Sequence, residues 1–354
     1  MEFVKNTEGD FTLNGKIFRF IGCNMFELAN LENSITEKMM SDAYNEGFKV
    51  IRFWAFEPMK KEKLKEICDI AAQYNVKIIP VLADKWGYLQ SYKIDNEWYT
   101  DRYKKGYLSY ITDIVKEFKD RKEILIWELL NEPETESFGM FYDFAKDVSE
   151  RVKAADGNHL LSFGTIGGIG DKFGSEFSRF KISNFRKLYS LPSLDALSLH
   201  DYSYNSALFE RLDMLNRFKG NLKTANLFMS ISSFLDRPTD FIDKFCLNKF
   251  NKLVYLPLTL RYIWTWYNHR NIRIAKRLKK PLYIGEVGFK ENRRLDRRKI
   301  LELDIEKKFG DGIGGYILWS FESQGWSNDG HDYGFNLSDR FGEVVKKWNE
   351  KLNG

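Results

Sequence analysis

The feature that most constrains this chain is an alternation running along its whole length: short apolar, strand-like runs separated by segments whose apolar residues recur at helical spacing. In "FTLNGKIFRF" an Asn-Gly pair between apolar alternations predicts a hairpin, and a first strand ends near Asn24. "SITEKMMSDAYNEGF" follows, with Ser34 and Glu37 in capping-box spacing and Gly47 at its end, before "VIRFWAF". The unit then repeats. "KKEKLKEICDIAAQYN", with Leu64, Ile67, Ile70 and Ala71 at helical spacing, leads to "VKIIPVLAD"; "YKKGYLSYITDIVKEFKD" leads to "ILIWELLNEP"; "MFYDFAKDVSERVKAA" leads to "LLSFGT". "LDALSLHDYS", "PLYIGEVGF" and "GGYILWSFES" complete eight strands, and a last helix is predicted over "EVVKKWNEKL". Strands alternating with helices predict a parallel sheet, and eight of them predict an α/β fold closed as a (β/α)8 barrel. One domain is expected over 1–354, with 204–280 an extended connection between strands six and seven. An open doubly wound sheet would want a glycine-rich phosphate turn after its first strand, and "IGCNMFELAN" is not one.

Composition narrows the partners. Of 354 residues, 43% are hydrophobic and 30% charged, which suits a soluble chain with a sizeable core. Aromatic residues reach 16%, and aromatic faces stack on sugars as readily as they fill cores. The net charge of +5 is the small difference between 55 basic and 50 acidic residues, too balanced to imply nucleic acid or an anionic membrane. The densest basic stretch, "HRNIRIAKRLKK", reads as a solvated helix face whose cations meet the negative end of the helix dipole. Cys23, Cys68 and Cys246 lie far apart and give neither a disulfide framework nor metal-ligand spacing. No apolar segment of signal-peptide length opens the sequence, and its most apolar stretch, "LVYLPLTLRYIWTWY", is short and interrupted by Pro257 and Arg261. A cytoplasmic location is expected for the sequence as it stands, and a secreted one if a signal peptide was removed.

In a TIM barrel the active site lies at the C-terminal ends of the strands, so the polar and aromatic residues there form a testable set. "WELLNEPE" places Glu128, Glu132 and Glu134 around an Asn-Glu-Pro break; Pro133 removes a ladder donor and ends the strand at Asn131 and Glu132. Strand two offers Arg52 and Trp54, strand six His200 and Tyr202, strand seven Glu286 and strand eight Trp319. Charges inside apolar strands are expensive unless paired, and an Arg with two Glu converging at one mouth suggests catalysis. Glu128, four residues before Glu132, is expected deeper in the barrel, holding a buried neighbour. Glu134 and Glu136 are expected to cap the next helix, whose positive N-terminus favours them.

These strand ends, "WELLNEPE", "IRFWAF", "LSLHDYS", "PLYIGEVGF" and "GGYILWSFES", resemble in order those of glycoside hydrolase family 5, within a large clan of retaining (β/α)8 glycosidases. "FTLNGKIFRFIGCN" and the Trp127-Glu128-Leu129 lead into Asn131-Glu132-Pro133 are similar to its β-mannanase branch. The resemblance implies that Glu132 is the acid/base and Glu286 the nucleophile, with Asn131 bonding the sugar 2-hydroxyl. It implies that Arg52 and Tyr202 keep Glu286 ionised and oriented, that His200 lines the pocket, and that Trp319 lies under the sugar. Trp54 belongs to the same set. No His stands near the end of strand three in "VLADKWGYLQ", where some relatives have one, which leaves Trp86 as the nearest sugar contact. "SQGWSNDGHDYGFN" brings Trp326 to the substrate; the spacing of Asp329, His331 and Asp332 matches no metal loop, and neither metal nor cofactor is expected.

The expected function is a retaining β-glycoside hydrolase acting on β-1,4-mannan or manno-oligosaccharides, with an oligo- or polysaccharide as its partner. A β-glucan hydrolase or exo-β-glycosidase of the same family is the alternative. A non-catalytic sugar-binding barrel would be free to lose Glu132 or Glu286, and both are present.

Overall fold

A computed structural model describes residues 2–353 apart from 57–58, 87–93, 168, 170–180, 203–240, 243, 253–259, 292–295 and 323–331, and apart from the side chains of 260–264 and 353. The chain opens with β1 (Lys5–Thr7), β2 (Asp10–Leu13) and β3 (Lys16–Ile17), an antiparallel sheet in which Leu13 pairs with Lys16. The two residues between them are Asn14 and Gly15, at φ 54° and 74°, the left-handed pair that a two-residue hairpin requires. Eight strands follow: β4 (Phe20–Asn24), β5 (Val50–Trp54), β6 (Lys77–Val81), β7 (Ile126–Asn131), β8 (Leu160–Gly164), β9 (Leu197–Asp201), β10 (Leu282–Val287) and β11 (Gly315–Leu318). They form one parallel sheet in the order β8-β7-β6-β5-β4-β11-β10-β9. Its two edges meet where the His200 N–H donates to the Thr165 carbonyl (2.9 Å) and the Ala196 N–H to that of Leu161 (3.2 Å), so the sheet closes as a (β/α)8 barrel.

Helices α1 (Asn33–Asn45), α2 (Lys61–Tyr74), α3 (Asn96–Thr100), α4 (Tyr107–Phe118), α5 (Phe138–Ala155), α6 (Ile182–Tyr189), α7 (Leu260–Leu278), α8 (Arg297–Asp311) and α9 (Phe341–Asn353) connect or follow the strands. Every residue of the eight barrel strands is buried, because helices cover one face and packed side chains fill the other. The N-terminal ends of the strands pack together through Phe20, Val50, Ile79, Leu125, Leu160 and Ile317, with Phe11 of the hairpin against them. At the opposite end Phe26, Trp54, Phe56, Val81 and Trp319 form a separate aromatic cluster. Among the described residues no helix is long and apolar enough to cross a membrane.

Three local expectations fail for physical reasons. The capping box at Ser34 does not form: α1 begins at Asn33, and the Ile35 and Thr36 N–H groups already bond to the Glu32 carbonyl, so Ser34 lies inside the first turn. Glu134 and Glu136 do not cap α5; Ser137 does, accepting from the Met140 N–H, while Glu134 is buried in an ion pair with Lys85. The helix expected over 103–120 is broken at Gly106, which joins a 3-10 turn over Arg102–Lys105 to α4. The basic stretch does lie at the end of α7 with its arginines exposed, but Lys280 turns inward to the carbonyls of Tyr189 and Leu191. Much of the 204–280 connection lies outside the described residues.

Candidate active site

Arg52, on β5, has a wholly buried guanidinium, and an unpaired buried cation would cost several kcal/mol. All five of its N–H groups have acceptors. Nε donates to Glu128 Oε2 (3.1 Å), Nη2 to Glu128 Oε1 and Asn131 Oδ1 (2.5 and 2.7 Å), and Nη1 to Asn24 Oδ1 and Glu286 Oε1 (2.8 and 2.9 Å). Burial alone would lower its pKa, but the charges of Glu128 and Glu286 outweigh that and hold it above the ordinary arginine value. Arg52 is therefore a fixed cation shared by two carboxylates. Glu128 lies deeper, as its strand position predicts, and also accepts from the Tyr283 hydroxyl at 2.7 Å. Strand β8 makes room by ending in glycine: a Cβ on Gly164 would sit 2.2 Å from Glu128 Oε1.

Glu132 is the residue at which β7 stops. Pro133 prevents continuation, and the Glu132 backbone turns to φ 46° while its N–H bonds to the Gly164 carbonyl at 2.7 Å. A left-handed residue with a Cβ costs about 1–2 kcal/mol, a strain of the kind found at functional sites. In this position Glu132 Oε1 lies 2.8 Å from His200 Nδ1, and Oε2 accepts from Trp86 Nε1 at 2.8 Å. Glu286, near the end of β10, accepts from Arg52 on Oε1 and from the Tyr202 hydroxyl on Oε2 (2.7 Å). His200 Nδ1 stands 3.5 Å from Glu286 Oε1 and so faces both acids. One ligand atom from each of Glu132, His200 and Glu286 lies within 4.8 Å of the others. Three such groups could grip a metal ion, but Arg52 and Tyr202 already donate to Glu286, so the geometry is that of two hydrogen-bonded acids.

Burial pushes the Glu286 carboxyl above the ordinary carboxylate range; His200, Arg52 and the Tyr202 hydrogen bond pull it back, and Glu132 pushes it up. Burial is the largest influence on the Glu286 carboxyl, and the Arg52 guanidinium, which also serves Glu128, opposes it. Burial, with the charges of Glu286 and Glu132, holds the Tyr202 phenol well above its usual range, so its O–H remains a donor. Trp54 and Trp319 lie at the mouth: Trp319 stacks on Phe26 with ring centroids 5.4 Å apart, Trp54 is 5.6 Å from Trp319, and the Arg52 guanidinium lies 4.8 Å from the Trp54 ring. Trp326 is outside the described residues.

A family model described as Cellulase (glycosyl hydrolase family 5) matches residues 11–323. The chain belongs to glycosyl hydrolase family 5. This family-5 chain is 25% identical over 244 residues to the probable mannan endo-1,4-beta-mannosidase F of Neosartorya fischeri, a match covering 57% of the chain and 54% of that protein. The chain thus spans about half the length of the curated relatives it matches. Its fold is shared with the endo-beta-1,4-mannanase of Thermotoga petrophila (TM-score 0.70, 18% identity, 96% of this chain and 78% of that one). It is shared equally with the endo-1,4-beta-mannanase of Rhizomucor miehei (TM-score 0.70, 17% identity, 100% of both chains).

The family-5 barrel gathers Arg52, Asn131, Glu132, His200, Tyr202 and Glu286 into one connected set, with Trp54, Trp86 and Trp319 around it. It also includes residues that the strand-end reading did not single out. Asn24 completes the Arg52 shell, Asp84 Oδ1 accepts from Asn131 Nδ2 at 2.9 Å, and Tyr333 lies 5.0 Å from the Tyr202 ring. Asn24 had a signal, being a polar residue at the end of a wholly apolar strand. Asp84, closing the apolar run "VKIIPVLAD", had the same signal, and Tyr333, in a polar loop, had none.

Proposed function

We propose that this chain is a retaining β-glycoside hydrolase that cleaves β-mannosidic linkages, in β-1,4-mannan or manno-oligosaccharides, by double displacement. The observation that carries this reading is the pairing of Glu132 with Glu286: two buried carboxyls close together, with the fixed cation Arg52 on Glu286 and the Trp86 indole and His200 imidazole on Glu132. Retaining glycosidases place their carboxyl groups about 5–5.5 Å apart, whereas inverting ones leave about 6.5–9.5 Å for a water. A permanent cation on one member favours ionisation there and leaves the shared proton to the other.

Glu286 then attacks the anomeric carbon while Glu132 gives its proton to the leaving oxygen, and the glycosidic C–O bond breaks. In the second step Glu132 takes a proton from water, whose oxygen displaces Glu286 from the anomeric carbon. Asn131 Nδ2 spends one N–H on Asp84, and its second N–H serves the sugar 2-hydroxyl. Trp54 and Trp319 give the sugar an aromatic floor. We read 1–354 as one catalytic domain, with 204–280 shaping the cleft. The mannosidic preference draws on the names of the matched relatives, and the family description as Cellulase supports a β-glucan hydrolase as the second reading.

Glu132→Ala should retain activity on aryl β-mannosides with good leaving groups, and azide should restore turnover with a β-glycosyl azide as product. Glu286→Ala should give the α-azide or nothing. An inverted first-formed anomer by proton NMR would refute the double displacement. We expect kcat/KM on β-mannosides at least about tenfold above that on matched β-glucosides, a difference of about 1.4 kcal/mol in transition-state binding; equal or inverted rates would favour the β-glucan reading.

A further inference from the structure

The segment after β6 is held against the site more firmly than a loop needs. Leu82 N–H bonds to the Glu128 carbonyl (2.8 Å), Asn131 N–H to that of Ala83 (2.8 Å), and Lys85 N–H to that of Asn131 (3.1 Å), which fixes Asp84, Lys85 and Trp86 beside the Glu132 turn. From there Trp86 sends its indole N–H to Glu132 Oε2, although the residue is 46% exposed and its ring could face solvent. Lys85 Nζ stands 3.9 Å from the centre of the Trp86 ring and pairs with the buried carboxylate of Glu134. These are the residues at the end of strand three, where the sequence lacks a histidine.

We propose that Trp86 and Lys85 are positioning residues that set the proton affinity of Glu132, Trp86 through its N–H and Lys85 through the face of the indole. A hydrogen bond to a carboxylate favours its charged form. A cation against an aromatic face draws electron density from the ring and strengthens the N–H as a donor. The other charged or titratable groups around Glu132 are His200 from β9, Tyr202 just beyond it, Glu286 from β10 and Arg52 from β5 by way of Glu286 and Asn131. Among the described residues, Asp84, bonded to Asn131, and Glu134, paired with Lys85, lie on the β6 and β7 side. Trp86 reaches Glu132 directly through its indole N–H and Lys85 reaches it through the Trp86 ring, so the acid is the group they tune.

The inference rests on Glu132 being the acid/base, and its test is the pH dependence of kcat/KM on an unactivated manno-oligosaccharide beside an activated aryl β-mannoside. Trp86→Phe keeps a ring and removes the N–H. The loss of a donor to the charged form makes Glu132 hold its proton longer, so the alkaline limb should move up by about 0.5–1 pH unit. As Glu132 also becomes a weaker acid, the unactivated bond should slow by about tenfold more than the aryl glycoside. Lys85→Met should shift the limb in the same direction by less, and Lys85→Arg should restore it. A changed KM with an unmoved limb would make Trp86 a sugar contact and overturn the proposal. Should Trp86→Phe not fold, Lys85→Met decides by the same criterion. If azide does not restore Glu132→Ala, the acid/base assignment fails and this inference with it; if azide does restore it and neither variant moves the limb, only this inference fails.

Discussion

Glu128→Gln tests how one guanidinium serves two acids. The carboxylate accepts three hydrogen bonds, from Arg52 Nε, Arg52 Nη2 and the Tyr283 hydroxyl. An amide of the same shape retains one acceptor oxygen and turns an NH2 toward a donor. Arg52 then keeps Glu286 as its single ionic partner in a fully buried site. Breaking a buried ion pair while leaving the other charge in place costs about 3–5 kcal/mol, and a loss of this size should appear in the free energy of chemical unfolding.

The same substitution should make the enzyme work at lower pH. Glu286 must be ionised to attack, burial holds its carboxyl above the ordinary range, and activity is lost as pH falls through that raised value. Two carboxylates on opposite edges of a guanidinium lie about 6 Å apart, where unit charges repel by about 3 kcal/mol at an effective dielectric of about 20. Removing the Glu128 charge should therefore lower the acid limb by about 1–2 pH units, allowing for relaxation. The assay is kcat/KM against pH on an aryl β-mannoside whose leaving group needs no proton. Tyr283→Phe is the control: it removes one neutral donor, should cost about 1–2 kcal/mol, and should leave the limb nearly where it was. An acid limb that rises or stays fixed in Glu128→Gln, or an unchanged unfolding free energy, would refute the sharing of Arg52.

Gly288→Ala would place a methyl carbon 2.8 Å from Tyr202 Cε1 and 2.9 Å from Tyr333 Cδ1, so the rings must shift, which disturbs the Tyr202 hydrogen bond to Glu286. We expect kcat/KM to fall at least about tenfold with a stability loss of about 1–3 kcal/mol; a wild-type rate constant would show that the Tyr202 contact is dispensable. At the other end of the barrel Lys77 donates to the carbonyls of Glu2 and Lys122, and burial lowers its pKa to about 8. A depressed lysine binds fewer protons in the folded state, so its contribution to stability is present above the unfolded value of about 10.5 and lost as pH falls toward 8. The stability of the wild type relative to Lys77→Met should accordingly grow between these limits, and a difference independent of pH would contradict the burial.

How far the site was legible follows from where each charge sits in the sequence. Arg52, Glu128, His200 and Glu286 each interrupt an apolar strand, a place where a charge has no local reason to be, so each announced a partner on another strand. Pro133 made the end of β7 legible in the same way. Glu134 lies in a polar stretch that any solvated loop would contain and was accordingly read as a helix cap, while Asp84 and Lys85 directly follow the apolar run of β6. The charge pattern alone cannot separate the two cases, because what brings Lys85 to Glu134 and Trp86 to Glu132 is the parallel registration of β6 beside β7, which runs past the last regular pair, Val81 with Glu128, to the bridge between Asp84 and Asn131. That extension exists only once β6 and β7 have paired. A charge inside a strand thus reveals that a partner is needed, while a charge just after a strand acquires its partner from the neighbouring strand's length. For this reason Glu132 and His200 could be identified from the sequence, and the placement of Asp84, Lys85 and Glu134 beside them could not.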